Sequence, residues 1–407
     1  MWRLTDDQRA LRDEIRGVVL EQIRPHVREM DENCDYPHHV HEILAREDLM
    51  GLAVPAAYGG RDETEVAWCA YIEELAKVSG TVSLMAAYVK LVSLPILLAG
   101  SEEQKREFLP PLVRGERYGS YALTEPGVGS DPAGLETRAE RHGDIWVLNG
   151  EKKFIGNAGH SDTYVVFART GDRGSRGISA FVVDGKADGV SVEPLRTMGM
   201  PGWRLGAPRF EDVEVPAERM LGREGDGFKI AMMTFDRSRP TVAAQAVGVG
   251  QGAIDLALDY ASRRETFGEP LIAHQGIQFK LAGMEADIAA ARALTYQAAT
   301  FVDEGDGRMT KVSAMAKMVA SDAAMRVTTD AVQVLGGNGY LKDFPAERMM
   351  RDAKVLQIYE GANEIQRLVI ARQMVKQAAG REPVWPECMP AVAQRSEPAQ
   401  EEVGARA

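Results

Sequence analysis

The hydrophobic period changes twice along this chain, and that double change limits the folds open to it. Up to about residue 118, apolar residues recur at helical spacing, as at Leu11, Ile15, Val18, Val19 and Ile23. From Gly119 to about Gly227 the chain breaks into short β-rich runs, among them residues 146–148, 164–167, 178–183, 190–192 and 210–215. His142-Gly143-Asp144 and Asp172-Arg173-Gly174 separate them as turns. From residue 228 to about 378 the helical pattern returns as long alanine-rich stretches, residues 240–263, 273–301 and 310–335. This order predicts an α+β protein: a helical domain over 1–118, a small all-β domain over 119–227 and a helical bundle over 228–380. Residues 381–407 mix prolines with charges of both signs and read as a disordered tail. A chain of 407 residues has ample length for three domains.

Local signals place some helix ends. Thr5 is a cap for a helix from Asp6 to about Arg24, with Asp6 and Asp7 at the positive end of its dipole. Pro25 should break or kink it. Ser101 caps another helix through Ser101-Glu102-Glu103-Gln104. Gly248, Gly250 and Gly252 look like part of a dinucleotide fingerprint, but they lie inside a helical stretch with no preceding strand. Helix–helix packing is the better reading. His38, His39 and His41 lack the spacing and companions of a zinc site, so no metal is expected.

The formal net charge of −12 argues against a nucleic-acid surface, which needs a basic stripe. Cys34, Cys69 and Cys388 make no paired framework, which suits a reducing compartment. No secretory or transit signal is legible at the start. No run reads as the roughly 20 apolar residues that span a bilayer. The expectation is a cytoplasmic protein with no membrane partner.

The segment Ile358-Tyr359-Glu360-Gly361-Ala362-Asn363-Glu364-Ile365-Gln366-Arg367 sets a carboxylate beside a glycine, just ahead of a helix-like run. Such a carboxylate can serve as a general base, and it can equally be an ordinary turn residue. Three further segments accompany it: Ala122 to Gly134, A-L-T-E-P-G-V-G-S-D-P-A-G; Arg264-Glu265-Thr266-Phe267-Gly268 followed by His274-Gln275; and Gln333-Val334-Leu335-Gly336-Gly337-Asn338-Gly339.

Together, in this order and spacing, these segments resemble the acyl-CoA dehydrogenases, flavoenzymes that desaturate acyl-CoA thioesters. The resemblance implies an N-terminal helical domain, a middle β-barrel or sandwich and a C-terminal four-helix bundle. It implies FAD as cofactor, an electron-transfer flavoprotein as acceptor and a homotetramer built as a dimer of dimers. It assigns Glu360 as the base that takes the α-proton while the β-hydride goes to flavin N5. Ser238 occupies the position where some members carry the base instead, and a hydroxyl cannot do that work.

The resemblance also implies a set of binding residues. Tyr121, Leu123, Thr124, Gly129 and Ser130 belong to the loop over the flavin. Phe154, Ile155 and Gly156 align with the family's Trp-Ile-Thr, so an indole and a hydroxyl are missing here. Ala362 replaces a usual Thr, and Glu364 follows it. Arg264, Thr266, Phe267, His274 and Gln275 resemble the segment that reaches the neighbouring subunit's FAD, joined by Gln333, Gly336 and Gly337. Ser130, Asp236, Arg239 and Gly361 fall at substrate-contacting positions, where Arg239 either holds part of the CoA moiety or orients Glu360. Tyr88 stands where glycine is common and should shorten the acyl pocket. Lys90 stands where a small polar residue is common, and is either a partner for an acyl carboxylate or a solvent-directed lysine. Short, branched or functionalised acyl groups follow as the expected substrates. The departures at Phe154 and Gly156 keep an oxygen-using oxidase or monooxygenase as the alternative. A nucleic-acid-associated relative is disfavoured because the tail carries Glu387, Glu397, Glu401 and Glu402 rather than a basic run.

Overall fold

The computed structural model describes residues 4–379. The expected tail over 381–407 lies outside the described residues. Helices α1 (Asp6–Val18), α2 (Val27–Asn33), α3 (His38–Arg46), α4 (Glu65–Val78), α5 (Gly80–Ala99) and α6 (Glu102–Val113) come first. Thr5 and Ser101 each close a capping box, with Gln8 and Gln104 returning the bond. The first helix does not run unbroken to Arg24. It widens into a π turn at Val19–Ile23 and tightens at Arg24–His26, because Pro25 supplies no N–H to the ladder.

Strands follow: β1 (Gly119–Ala122), β2 (Arg138–His142), β3 (Ile145–Glu151), β4 (Ile155–Gly156), β5 (Thr163–Arg169), β6 (Ile178–Asp184), β7 (Val190–Leu195), β8 (Leu205–Pro216) and β9 (Met220–Leu221). They form one sheet in the order β4-β8-β3-β2-β5-β6-β9, with β1 parallel to β5 and β7 antiparallel to β8. All seven residues of β5 are buried, so it runs as a continuous apolar strand rather than an alternating one. Trp146, Leu148, Phe181, Phe210 and Val213 make a core of their own for this sheet.

The rest is helical apart from the short pair β10 (Glu265–Thr266) and β11 (Glu269–Pro270): α7 (Gly227–Arg263), α8 (Gln275–Asp303), α9 (Met309–Leu335), α10 (Ala346–Leu356) and α11 (Asn363–Ala378). The sequence pattern begins a helix at Pro240, but α7 starts earlier and passes through that proline. Packing against α4, α5, α8 and α9 holds it across the lost N–H. Gly248 and Gly252 explain the closeness: a Cβ there would stand 2.4 Å from Glu73 O and 2.1 Å from Lys77 O on α4. The glycine run is thus a helix-packing device.

Helix α5 corrects the bilayer reading. Its 20 residues are long and apolar enough to cross a membrane. Two thirds of that stretch is buried inside the protein, where α5 packs on α4, α7 and β1. The same helix faces the cavity described next.

Candidate active site

A cavity of about 740 Å³ opens between α5, the β1 end of the sheet and the α10–α11 connection. Glu360 stands on its wall, in the turn that precedes α11. Its backbone is left-handed, φ 51°, and Gly361 follows at φ 92°. A non-glycine residue held there signals a local constraint imposed by the surroundings.

Several bonds hold the turn in place. Gln366 Nε2 donates to Gly361 O at 2.8 Å and Glu360 O at 3.2 Å. Fully buried Lys317, from α9, donates to Gly361 O at 2.9 Å and to Asn363 Oδ1 at 3.0 Å. Asn363 in turn donates to Ser321 Oγ and Asp322 Oδ1. Lys317, Gln366 and Asn363 were not legible as site residues, because each acts through the backbone or amide of a distant segment.

The electrostatics of Glu360 are balanced. Burial raises its pKa above the usual carboxylate value. The hydrogen bond from Ser238 Oγ and the charges of Arg239, Lys317 and Lys90 pull it back without cancelling that rise. The side chain is half-buried, so it can meet a ligand from the cavity. A carboxylate with a raised pKa in an apolar cleft is suited to general-base work near neutral pH.

The loop from Leu123 to Ser130 forms another part of the wall. Its anchor is Glu125, whose carboxylate accepts from Glu136 N at 2.6 Å, Thr137 N at 3.0 Å and Lys152 Nζ at 2.7 Å. Lys152 also donates to Leu123 O at 3.2 Å. Burial lowers the pKa of Lys152 to about 8 although Glu125 works the other way. This buried pair clamps the loop to the sheet, and nothing in the local sequence announces it.

Chain comparisons fit this geometry. Residues 5–116, 120–213 and 225–375 match the N-terminal, middle and C-terminal domains of acyl-CoA dehydrogenases. The chain is 43% identical over 378 residues to the Mycobacterium tuberculosis protein "Probable acyl-CoA dehydrogenase FadE25", covering 92% of this chain and 97% of that one. Its fold is similar to butyryl-CoA dehydrogenase from Megasphaera elsdenii, with TM-score 0.89, 41% identity, and coverage of 92% and 100%. It is also similar to a chain solved in work on the electron transferring flavoprotein of Acidaminococcus fermentans, with TM-score 0.90, 40% identity, and coverage of 92% and 100%. The chain belongs to the acyl-CoA dehydrogenase family.

As an acyl-CoA dehydrogenase, an oxidoreductase of a flavoprotein family, it brings one group of the expected residues together. Glu360, Gly361, Ala362, Tyr121, Leu123, Thr124, Gly129, Ser130, Phe154, Ile155, Gly156 and Tyr88 all line the cavity. Tyr121 Oη is buried there with no partner among the described residues. Gly127 and Gly129 have no atom within 4 Å of where a Cβ would stand, so a planar ligand can lie against the loop. Phe154, at φ 60°, and Asn157, at φ 57°, are left-handed as well. An orphaned hydroxyl, an open glycine loop and an apolar floor fit a flavin ring.

A second group lies apart from the cavity. Arg264, Gln275, Gln333, Gly336, Gly337 and Glu364 are exposed, and Phe267 is 100% exposed. Thr266 Oγ1 and His274 Nε2 are 2.9 Å apart, and His274 Nδ1 is 3.2 Å from Glu269. Asn338 Nδ2 donates to Tyr260 Oη at 2.9 Å, which ties the turn after α9 to the end of α7.

One expectation needs correction. Lys90 does not face the acyl space. It is buried, pairs with Glu65, and donates to Thr241 Oγ1 at 3.2 Å and Arg237 O at 3.3 Å. A buried ammonium takes the nearest carboxylate, and Glu65, itself raised in pKa by burial, is that group. Arg239 is placed to act on Glu360, the second of the two roles open to it. It is 4% exposed, donates to Asp236 Oδ1 at 3.1 Å, and acts on Glu360 through its charge. Asp236 is committed to Arg239 and to Thr310 Oγ1 at 2.6 Å.

Proposed function

We propose that this protein uses FAD to convert a short, branched or functionalised acyl-CoA to its trans-2-enoyl thioester, with Glu360 as the base that removes the α-proton. The observation that carries this is the half-buried Glu360 carboxylate, raised in pKa, on the wall of an apolar cavity. FAD, when bound, supplies the acceptor for the β-hydride. The chain's own part is to bind, orient and take the proton. Glu360 N carries no hydrogen bond among the described residues, which leaves a donor for the thioester oxygen as the enolate develops. The loop Leu123–Ser130 and the strand Ile155–Gly156 are the proposed flavin wall, with Tyr121, Thr124 and Ser130 as polar contacts.

Tyr88 supports the short-chain reading. It projects from α5 into the cavity beside Leu84, Ala87 and Leu91, with its ring 4.9 Å from that of Trp203. Two large rings at one end leave less room for a straight chain. The similarity to a butyryl-CoA dehydrogenase is consistent with that. The exposed set around Arg264, Phe267 and Gln333, with bare apolar side chains at Phe279, Tyr340 and Leu341, supports a homo-oligomer that shares each FAD between subunits. An electron-transfer flavoprotein is the proposed acceptor. A cytoplasmic location completes the reading, since Cys34 is an exposed free thiol and Cys69 a buried one.

The test is an anaerobic titration of the FAD-loaded protein with straight, branched, aromatic and dicarboxylic acyl-CoAs. Bleaching of the flavin band by short or branched thioesters, absent in Glu360→Gln, is the expected result. No bleaching by any thioester would remove the reading. Phe154, 58% exposed beside a glycine at 156, favours one second reading, in which the reduced flavin meets oxygen. Rapid turnover with dioxygen and no need for a carrier protein would select it.

A further inference from the structure

Tyr88 occupies the space that any side chain at position 156 would need. A Cβ built on Gly156 stands 2.6 Å from Trp203 Cζ2 and 2.8 Å from Tyr88 Cζ. Both neighbours are rings packed edge to face, so neither yields easily. The phenol oxygen of Tyr88 accepts from Gly156 N at 3.0 Å and from Tyr121 N at 3.4 Å. A phenol oxygen has two acceptor lone pairs and one proton. Two N–H groups take up the lone pairs, and the proton has no acceptor among the described residues. The hydroxyl is nevertheless buried on the cavity wall. Burial, and the nearby charge of Glu360, keep it protonated. A buried donor without a partner costs about 1–3 kcal/mol, so its acceptor belongs to whatever fills the cavity.

The chemistry of the occupant decides which acceptor. The hydrocarbon part of an acyl chain offers none and the thioester oxygen falls to Glu360 N, whereas the edge of an isoalloxazine carries carbonyl oxygens and ring nitrogens. Both backbone partners of Tyr88, at Tyr121 and Gly156, lie on the proposed flavin wall. We propose that the Tyr88 hydroxyl, delivered from helix α5, donates a hydrogen bond to the edge of the flavin ring and tunes its potential. This rests on the FAD reading above. Tyr88 therefore has two duties, closing the acyl space with its ring and holding the flavin with its hydroxyl. Gly156 is the glycine that lets the ring in.

The experiment uses the full-length FAD-loaded protein with Tyr88→Phe, and with 3-fluorotyrosine placed at position 88. FAD content, the visible flavin spectrum and the reduction equilibrium against a reference dye are read for each. The Phe variant should keep FAD, shift the visible band and lose about tenfold in the reduction equilibrium constant, about 30 mV for two electrons. The fluorinated phenol, a stronger donor of the same shape, should shift the equilibrium the other way. It also carries the test if the Phe variant does not fold. Spectra and equilibria unchanged in the folded variants would overturn the proposal while leaving the FAD reading intact. A folded wild-type protein that binds no FAD would overturn both.

Discussion

Ser238 Oγ donates to Glu360 Oε2 at 2.5 Å, joining the middle of α7 to the turn before α11. The hydroxyl stabilises the carboxylate form, so it works against the burial that raises Glu360. Removing it with Ser238→Ala should raise the pKa of Glu360 further. The acidic limb of kcat/KM then moves to higher pH, and activity on that limb falls about tenfold, as expected for one hydrogen bond to a charged group. Activity well above the limb should hold. A kcat/KM profile from pH 5 to 9 checks this, and an unmoved limb would mean the bond does not act on the base.

Lys90 and Glu65 make a second testable pair. Both are buried, and Trp68 lies 5.6 Å from the ammonium, measured to the ring centre. Lys90→Met strands a buried carboxylate and should destabilise the protein by about 3–5 kcal/mol. Lys90→Met with Glu65→Gln should recover most of that, because no unpaired charge remains. Thermal melts of the single and double variants decide the matter. If the pair is structural, the ratio of kcat/KM for glutaryl-CoA over butyryl-CoA should be the same in the double variant as in the wild type.

Much of this architecture could be read from the sequence, and the reason is local. Thr5 and Ser101 announce their helices because a capping box spans four neighbouring residues. The apolar run of β5 and the alanine-rich α9 carry their periods within one window. The Glu360 segment stood out because its neighbours in sequence are its neighbours in space. Lys90 cannot be placed from sequence because its partner is 25 residues away on another helix. Lys152, Lys317 and Trp203 are illegible in the sequence for the same reason. Each meets its partner only after the helical and strand-rich parts have packed. Left-handed backbone at Phe154, Asn157 and Glu360 is likewise invisible to a period count.

Arg264 and Phe267 test whether the exposed set is a shared cofactor site. Both sit beside β10, away from the cavity, and Phe267 is wholly bare. Arg264→Glu replaces a donor for a pyrophosphate with a repelling charge. The expected outcome is an FAD-to-protein ratio reduced several-fold and a smaller particle by light scattering, with the chain still folded by circular dichroism. Full FAD content in a monomeric variant would show that each chain holds its flavin alone.

Lys317 is the sharpest pH test in the molecule. Burial pulls its pKa down to about 7 from 10.5, because its partners, Gly361 O and Asn363 Oδ1, are neutral. Between about pH 7 and 10.5 the unfolded chain therefore binds this proton and the folded chain does not. Stability from this group rises with pH across that window. Below about pH 7 both states hold the proton, and the burden of the buried charge is felt in full. Lys317→Met removes that slope. Wild type should gain on the variant by roughly 3 kcal/mol between pH 7 and 10, read from melting temperatures. Lys152 titrates in both proteins and drops out of the difference. The variant also loses the clamp on Gly361, and the loss of a nearby cation raises the pKa of Glu360. Its kcat/KM should fall, with the acidic limb displaced to higher pH. Parallel stability curves for the two proteins would show that Lys317 is charged throughout, and its charge would then act on Glu360 at every pH.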